Sequence, residues 1–138
     1  MKKKPNYPLW VLVSIMLVIT IVIFSNPLRR PDSLVRQYVL NLTPIGMSME
    51  DVVEVIEGQE GWKIWHINDE GGYLSQGPLV PGWPVSSLSG RSVIGEKSIR
   101  ANIGEYQYLL VTSVTVFWGF DENSELIEVE IWKTVDGP

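Results

Sequence analysis

Apolar and polar positions change rhythm several times along the chain. Leu9 to Phe24 (LWVLVSIMLVITIVIF) carries no charge and has only Ser14 and Thr20 as polar interruptions. With Tyr7, Pro8 and Ser25 the run covers 7–25, within the roughly 17–25 residues that a transmembrane helix needs. Tyr7 and Trp10 stand at its start, where amphipathic rings favour a membrane interface. The run exceeds the ~7–15 apolar residues of a cleaved signal peptide, and no A-x-A-like pair follows it. It predicts an uncleaved single-pass signal-anchor at 7–25 behind a basic cytoplasmic tail at 1–6. Lys2, Lys3 and Lys4 on one side outweigh Arg29 and Arg30 on the other. That bias predicts a cell-membrane protein whose C-terminal domain is extracytoplasmic.

A juxtamembrane linker at 26–32 holds Pro27 and Pro31, which disfavour helix at the residues before them. Helical spacing then returns. Leu34, Val35, Tyr38, Val39 and Leu42 fall on one face behind a Ser33 cap, and Thr43-Pro44-Ile45-Gly46 ends the run. A second helix opens at Ser48, whose hydroxyl is positioned to accept from the backbone of Asp51. Glu50 and Asp51 sit at the positive end of its dipole. Met49, Val52, Val53 and Ile56 form its apolar stripe, and Gly58 offers a left-handed stop.

From Trp62 the period becomes two. Residues 62–67 (WKIWHI) read as a strand, 68–72 as a turn, and 73–90 as a long loop with Pro78, Pro81 and Pro84. Val93, Ile94 and 98–103 supply further short strands. The clearest β signal is a hairpin pairing 109–120 with 126–133 across Asp121-Glu122-Asn123-Ser124-Glu125. Val114, Val116, Trp118 and Phe120 share one face of the first arm. Ile127, Val129 and Ile131 share one face of the second, with Glu128, Glu130 and Trp132 opposite. The expected fold is therefore α+β, an N-terminal transmembrane helix followed by two helices packed on an antiparallel β-sheet, with the domain at 33–138.

Charge narrows the partners. All 16 acidic residues lie at Asp32 or later against six basic ones, a difference of −10. Such a body is repelled by phosphate backbones, so nucleic acid is excluded as a partner. The absence of cysteine removes disulfides, thiolate metal sites and Cys nucleophiles.

Ile45-Gly46-Met47-Ser48-Met49-Glu50-Asp51-Val52 resembles the x-G-M-[ST]-x-x-x-V start of the second helix in the SmpA/OmlA (BamE-like) family. Residues 118–127 (WGFDENSELI) are similar to that family's last hairpin, where an F-x-x-x-G-x-L-type turn recurs. Two helices before an antiparallel sheet is the family's plan, shared with β-lactamase inhibitor protein domains. The resemblance implies protein–protein contacts in envelope assembly or enzyme inhibition. The chain departs from the family in lacking a lipobox Cys, in its apolar N-terminal run and in the Pro-rich 73–90 segment.

Candidate chemistry is sparse. His66 is the single histidine, and Asp69 or Ser75 could join it, but no nucleophile-elbow glycine pattern surrounds any serine. Asp121-x-Asn123-x-Glu125 begins like a calcium loop, yet Leu126 and Trp132 occupy the positions that need glycine and a carboxylate. Glu50, Glu54 and Glu57 follow helical intervals, while Glu128 and Glu130 alternate on a strand; both sets read as solvated faces. No catalytic residue, cofactor or metal is expected. Trp62, Trp65, Trp83, Trp118 and Trp132 are numerous for so small a domain. Trp65 and Trp132 fall opposite the core stripes and Trp83 lies in the Pro-rich loop. Exposed Trp and Tyr are common contact anchors. Tyr73, Leu79, Trp83 and Trp132 are the candidate partner-binding residues, with another envelope or membrane protein as the expected partner. The alternative is a small-ligand or cell-wall glycan binder using the same rings.

Overall fold

A computed structural model describes residues 8–75, 91–107 and 109–136. Helix α1 (Leu9–Ser25) has 17 residues between Pro8 and Asn26. At 1.5 Å per residue it reaches roughly 25 Å, short of a hydrocarbon core of ~30 Å. No helix among the described residues is long and apolar enough to cross a membrane. The transmembrane, single-pass and signal-anchor expectations for 7–25 are corrected accordingly, and the fold is three helices with a sheet. None of the described α1 side chains is buried, so α1 adds nothing to the domain's core.

A 3-10 turn (Pro27–Arg29) follows, held by Asn26 Oδ1 accepting from the Leu28 amide at 2.9 Å. Leu28 then packs against the core. Helix α2 (Asp32–Leu42) starts directly after Pro31 with no side-chain cap. The expected Ser33 cap is therefore wrong by two residues: Pro31 holds the cap position and Asp32 already lies in the first turn. Val35 and Val39 are its buried residues, while Leu34 faces outward. Helix α3 (Met49–Gly58) matches expectation at its start, where Ser48 Oγ accepts from the Asp51 amide at 3.1 Å. Met49, Val52 and Ile56 are buried. At its other end the left-handed conformation falls on Gly61 (φ +81°), not Gly58.

The main sheet contains β1 (Lys63–Asn68), β4 (Lys97–Gln107), β5 (Val111–Phe120) and β6 (Leu126–Asp136), in the order β1-β4-β5-β6 and antiparallel throughout. Between them β2 (Tyr73–Leu74) and β3 (Val93–Ile94) form a separate two-stranded ribbon. Helices α2 and α3 cover the inner face. There Ile99 and Ala101 of β4 meet Val116 and Trp118 of β5, then Val129 and Ile131 of β6. The expected β5 stripe is as read. On β6, a register shift beside Gly119 and Phe120 leaves Ile127 as an extra residue between Leu126 and Glu128. Leu126 takes the buried position and Ile127 is 44% exposed, because a bulge moves one residue off the alternating pattern.

Aromatic rings join helices to sheet. Trp62 lies 6.4 Å from Tyr38 of α2, edge to face, and 6.3 Å from Trp118 of β5. Trp118 is fully buried, and its Nε1 donates to Thr43 Oγ1 at 3.0 Å just past α2. Thr43 in turn donates to the Val39 carbonyl at 3.0 Å. One hydroxyl thus satisfies a buried indole and closes a helix end. Thr43→Val keeps the shape but leaves the Trp118 N–H without an acceptor, a loss of about 1–3 kcal/mol. Urea unfolding should show a lower midpoint with an unchanged slope.

Candidate functional site

The helix-free face of the sheet carries the groups that the inner core does not use. Strand register assembles them in rows, because directly paired residues project from the same side. One row runs His66, Arg100, Phe117, Glu130 across the four strands. The next runs Lys63, Asn102, Thr115, Trp132. At the centre Phe117 stacks on Trp132, ring centroids 4.4 Å apart, and on Tyr73 at 5.3 Å. A register shift between Ile64 and His66 leaves Trp65 unpaired in the β1–β4 ladder. Its ring approaches Arg100, whose guanidinium carbon lies 4.9 Å from the Trp65 centroid and 5.4 Å from that of Phe117. A cation shared by two ring faces is held by their quadrupoles rather than by a carboxylate.

Tyr73 reaches this face from the β2–β3 ribbon, whose closeness two glycines permit. A Cβ on Gly72 would lie 2.1 Å from the Ile94 carbonyl oxygen. One on Gly119 of β5 would lie 3.0 Å from both Ile94 and the Tyr73 ring. Tyr73 is only 5% exposed. Its hydroxyl, the Trp132 Nε1 and the Asn102 Nδ2 are buried with no hydrogen-bond partner among the described residues. Burial raises the Tyr73 pKa well above its ordinary range, and the nearby Glu130 and Glu128 carboxylates add to the shift.

The other candidate groups have local duties. Asp121 Oδ1 accepts from the Asn123 and Glu125 amides, each at 2.9 Å, which ties the hairpin turn. Arg36 pairs with Glu128 and donates through Nε to the Val129 carbonyl at 2.8 Å. Lys133 pairs with Asp32 at 3.0 Å. Ser113 donates to Glu105 at 3.2 Å. Lys63 and Arg100 differ, for neither meets a carboxylate among the described residues. On the opposite side of the sheet an open groove of about 530 Å³ lies beside α3, lined in part by Met49, Val53, Ile67 and Lys97. Lys97 is held there by donation to Ser124 Oγ at 2.6 Å.

Of the expected partner-binding residues, Tyr73 and Trp132 come together around Phe117, Tyr73 buried and Trp132 half-buried. Leu79 and Trp83 lie outside the described residues. Sequence reasoning missed Phe117, Arg100 and Asn102. A usable signal was present: Phe117 stands one position off the Val114–Val116–Trp118 stripe, so β5 carries large rings on both faces.

A proton linkage follows from Tyr73. Below about pH 10 the phenol is protonated in both folded and unfolded chains, and its contribution is fully present. Above that, the unfolded chain ionises while the buried phenol does not, so stability falls as pH rises. Tyr73→Phe should flatten the alkaline limb of melting temperature against pH between about pH 9.5 and 11.5. Circular dichroism melts of both proteins measure it; parallel limbs would contradict the assignment.

Comparison with known proteins finds no matching family model, no matching curated protein and no matching solved structure.

Proposed function

We propose that the domain is a non-enzymatic interaction module that docks on another protein of the cell envelope. The observation that carries this reading is the Trp65–Arg100–Phe117 stack at the β1 side of the sheet. A 47% exposed Trp beside a cation with no carboxylate partner among the described residues combines two of the residue types most enriched in interface hot spots. The envelope setting comes from the resemblance of 45–52 and 118–127 to the SmpA/OmlA family. A non-enzymatic role is supported by the carboxylates described above, since Asp121 serves a turn and Glu128 an ion pair.

One observation favours a second reading, a small-ligand or cell-wall glycan binder. Tyr73, Asn102 and Trp132 each hold a buried donor with no acceptor among the described residues, and a ligand rich in oxygen would supply acceptors while stacking on the rings. Calorimetry with cell-wall fragments separates the readings: heat that disappears in Trp132→Phe favours the ligand.

The test of the leading reading is in-cell photo-crosslinking from position 66, which is exposed and shares the outer-face row with Arg100 and Phe117. The wild-type chain should capture a discrete protein neighbour. Trp65→Ala combined with Arg100→Ala should reduce that capture about tenfold or more, as loss of a hot spot implies. Equal capture by both proteins would remove this face as the contact.

A further inference from the structure

We propose that β1 is a docking edge, and that an extended segment of the partner with alternating acidic and apolar residues adds to it as a fifth strand. The proposal rests on the interaction-module reading and names where and how the contact is made.

The two borders of the sheet are treated differently. At the β6 border, Arg36 covers the Val129 carbonyl and pairs with Glu128, Lys133 reaches the Arg30 carbonyl, and α2 packs alongside. At the β1 border α3 packs alongside in turn, but among the described residues no side chain covers a backbone group of β1 and its one strand partner is β4. Among the described residues, the backbone of 63–68 makes no hydrogen bond outside that pairing. Half of its peptide groups therefore have no neighbour among the described residues, which is the template that strand addition uses.

Side chains on the two faces of this border specify the occupant. On the outer face Lys63 and Arg100 are cations with no carboxylate partner among the described residues, in a domain whose acidic residues outnumber its basic ones by ten. On the inner face Ile67 is 40% exposed at the edge of the groove of about 530 Å³, next to Val53, with Glu50, Asp69 and Lys97 on the groove's polar part. An added strand alternates its side chains between these faces. Carboxylates on one side meet Lys63 and Arg100, and apolar groups on the other pack on Ile67 and Val53. The irregularity at Trp65 breaks a regular ladder, which disfavours indiscriminate pairing with flat strands.

The probe is a terminally blocked heptapeptide of alternating Glu and Val, titrated into the full-length chain in a nonionic detergent. Three companions accompany it: a Lys/Val peptide, a Glu/Val peptide with N-methylated valines, and the Lys63→Glu/Arg100→Glu protein. Binding is followed by Trp fluorescence and by amide hydrogen exchange. Exchange of amides within 63–68 should slow about tenfold or more on binding of the Glu/Val peptide. Each companion should bind about tenfold more weakly or worse.

Equal binding of the N-methylated peptide would overturn strand addition, and equal binding of the Lys/Val peptide would overturn the acidic partner. Slowed exchange within 63–68 without peptide, together with sedimentation as a dimer, would make a second copy the occupant and also overturn the proposal. Failure of the Glu/Val peptide to bind while in-cell capture persists sinks the edge alone. Peptide binding without any captured protein neighbour sinks the underlying reading.

Discussion

From Thr112 to Phe120 every residue of β5 is buried, so this strand has to be covered on both sides before the domain can be stable. Its inner side chains, Val114, Val116, Trp118 and Phe120, call for the two helices. Its outer side chains, Ser113, Thr115 and Phe117, call for a different cover, and Tyr73 and Trp132 are part of it. The β2–β3 ribbon exists to deliver that cover. Gly72 and Gly119 are the two places where a single added carbon would push it away. The outer face is consequently a second, smaller core with aromatic and polar members mixed.

That mixture separates the two halves of the molecule chemically. In the inner core the one demanding donor, the Trp118 indole, is met by Thr43 at 3.0 Å. On the outer side three donors go unmet among the described residues, and a guanidinium rests on rings instead of a carboxylate. Polar matching is thus closer on the inner face than on the outer one among the described residues. Cations follow the same division: Arg36 and Lys133 fasten α2 to β6, whereas among the described residues Lys63 and Arg100 make no ion pair.

Much of the fold was legible wherever one periodicity dominated. Val114 to Phe120 and Val129 with Ile131 showed their buried side directly, and Ser48 announced α3 because hydroxyl capping is a local event. The misreadings have local causes too. Ile127 looked like core because a bulge is invisible to a period-two count. Gly58 looked like the helix stop because two glycines compete there, and Gly61 took the left-handed position. The apolar run was counted over 7–25, whereas the helix itself begins at Leu9 and its 17 residues fall at the lower limit of a spanning length. The site was less legible. Tyr73 and Trp132 could be singled out as aromatics left over from the core, but their meeting at Phe117 depends on register across strands. Arg100 and Trp65 are far apart in sequence, and only the β1–β4 pairing brings them together.

The short connector after α1 is bound to the sheet at separated points. Leu28 lies against Gly104, where a Cβ would come within 2.8 Å of its Cδ1. Arg29 donates to the Gln107 carbonyl of β4 at 3.3 Å, and the Arg30 carbonyl accepts from Lys133 of β6. The exit of α1 is thereby tied to two non-adjacent strands, one interior to the sheet and one at its border, so its position is fixed by the sheet as a whole and not by either strand alone.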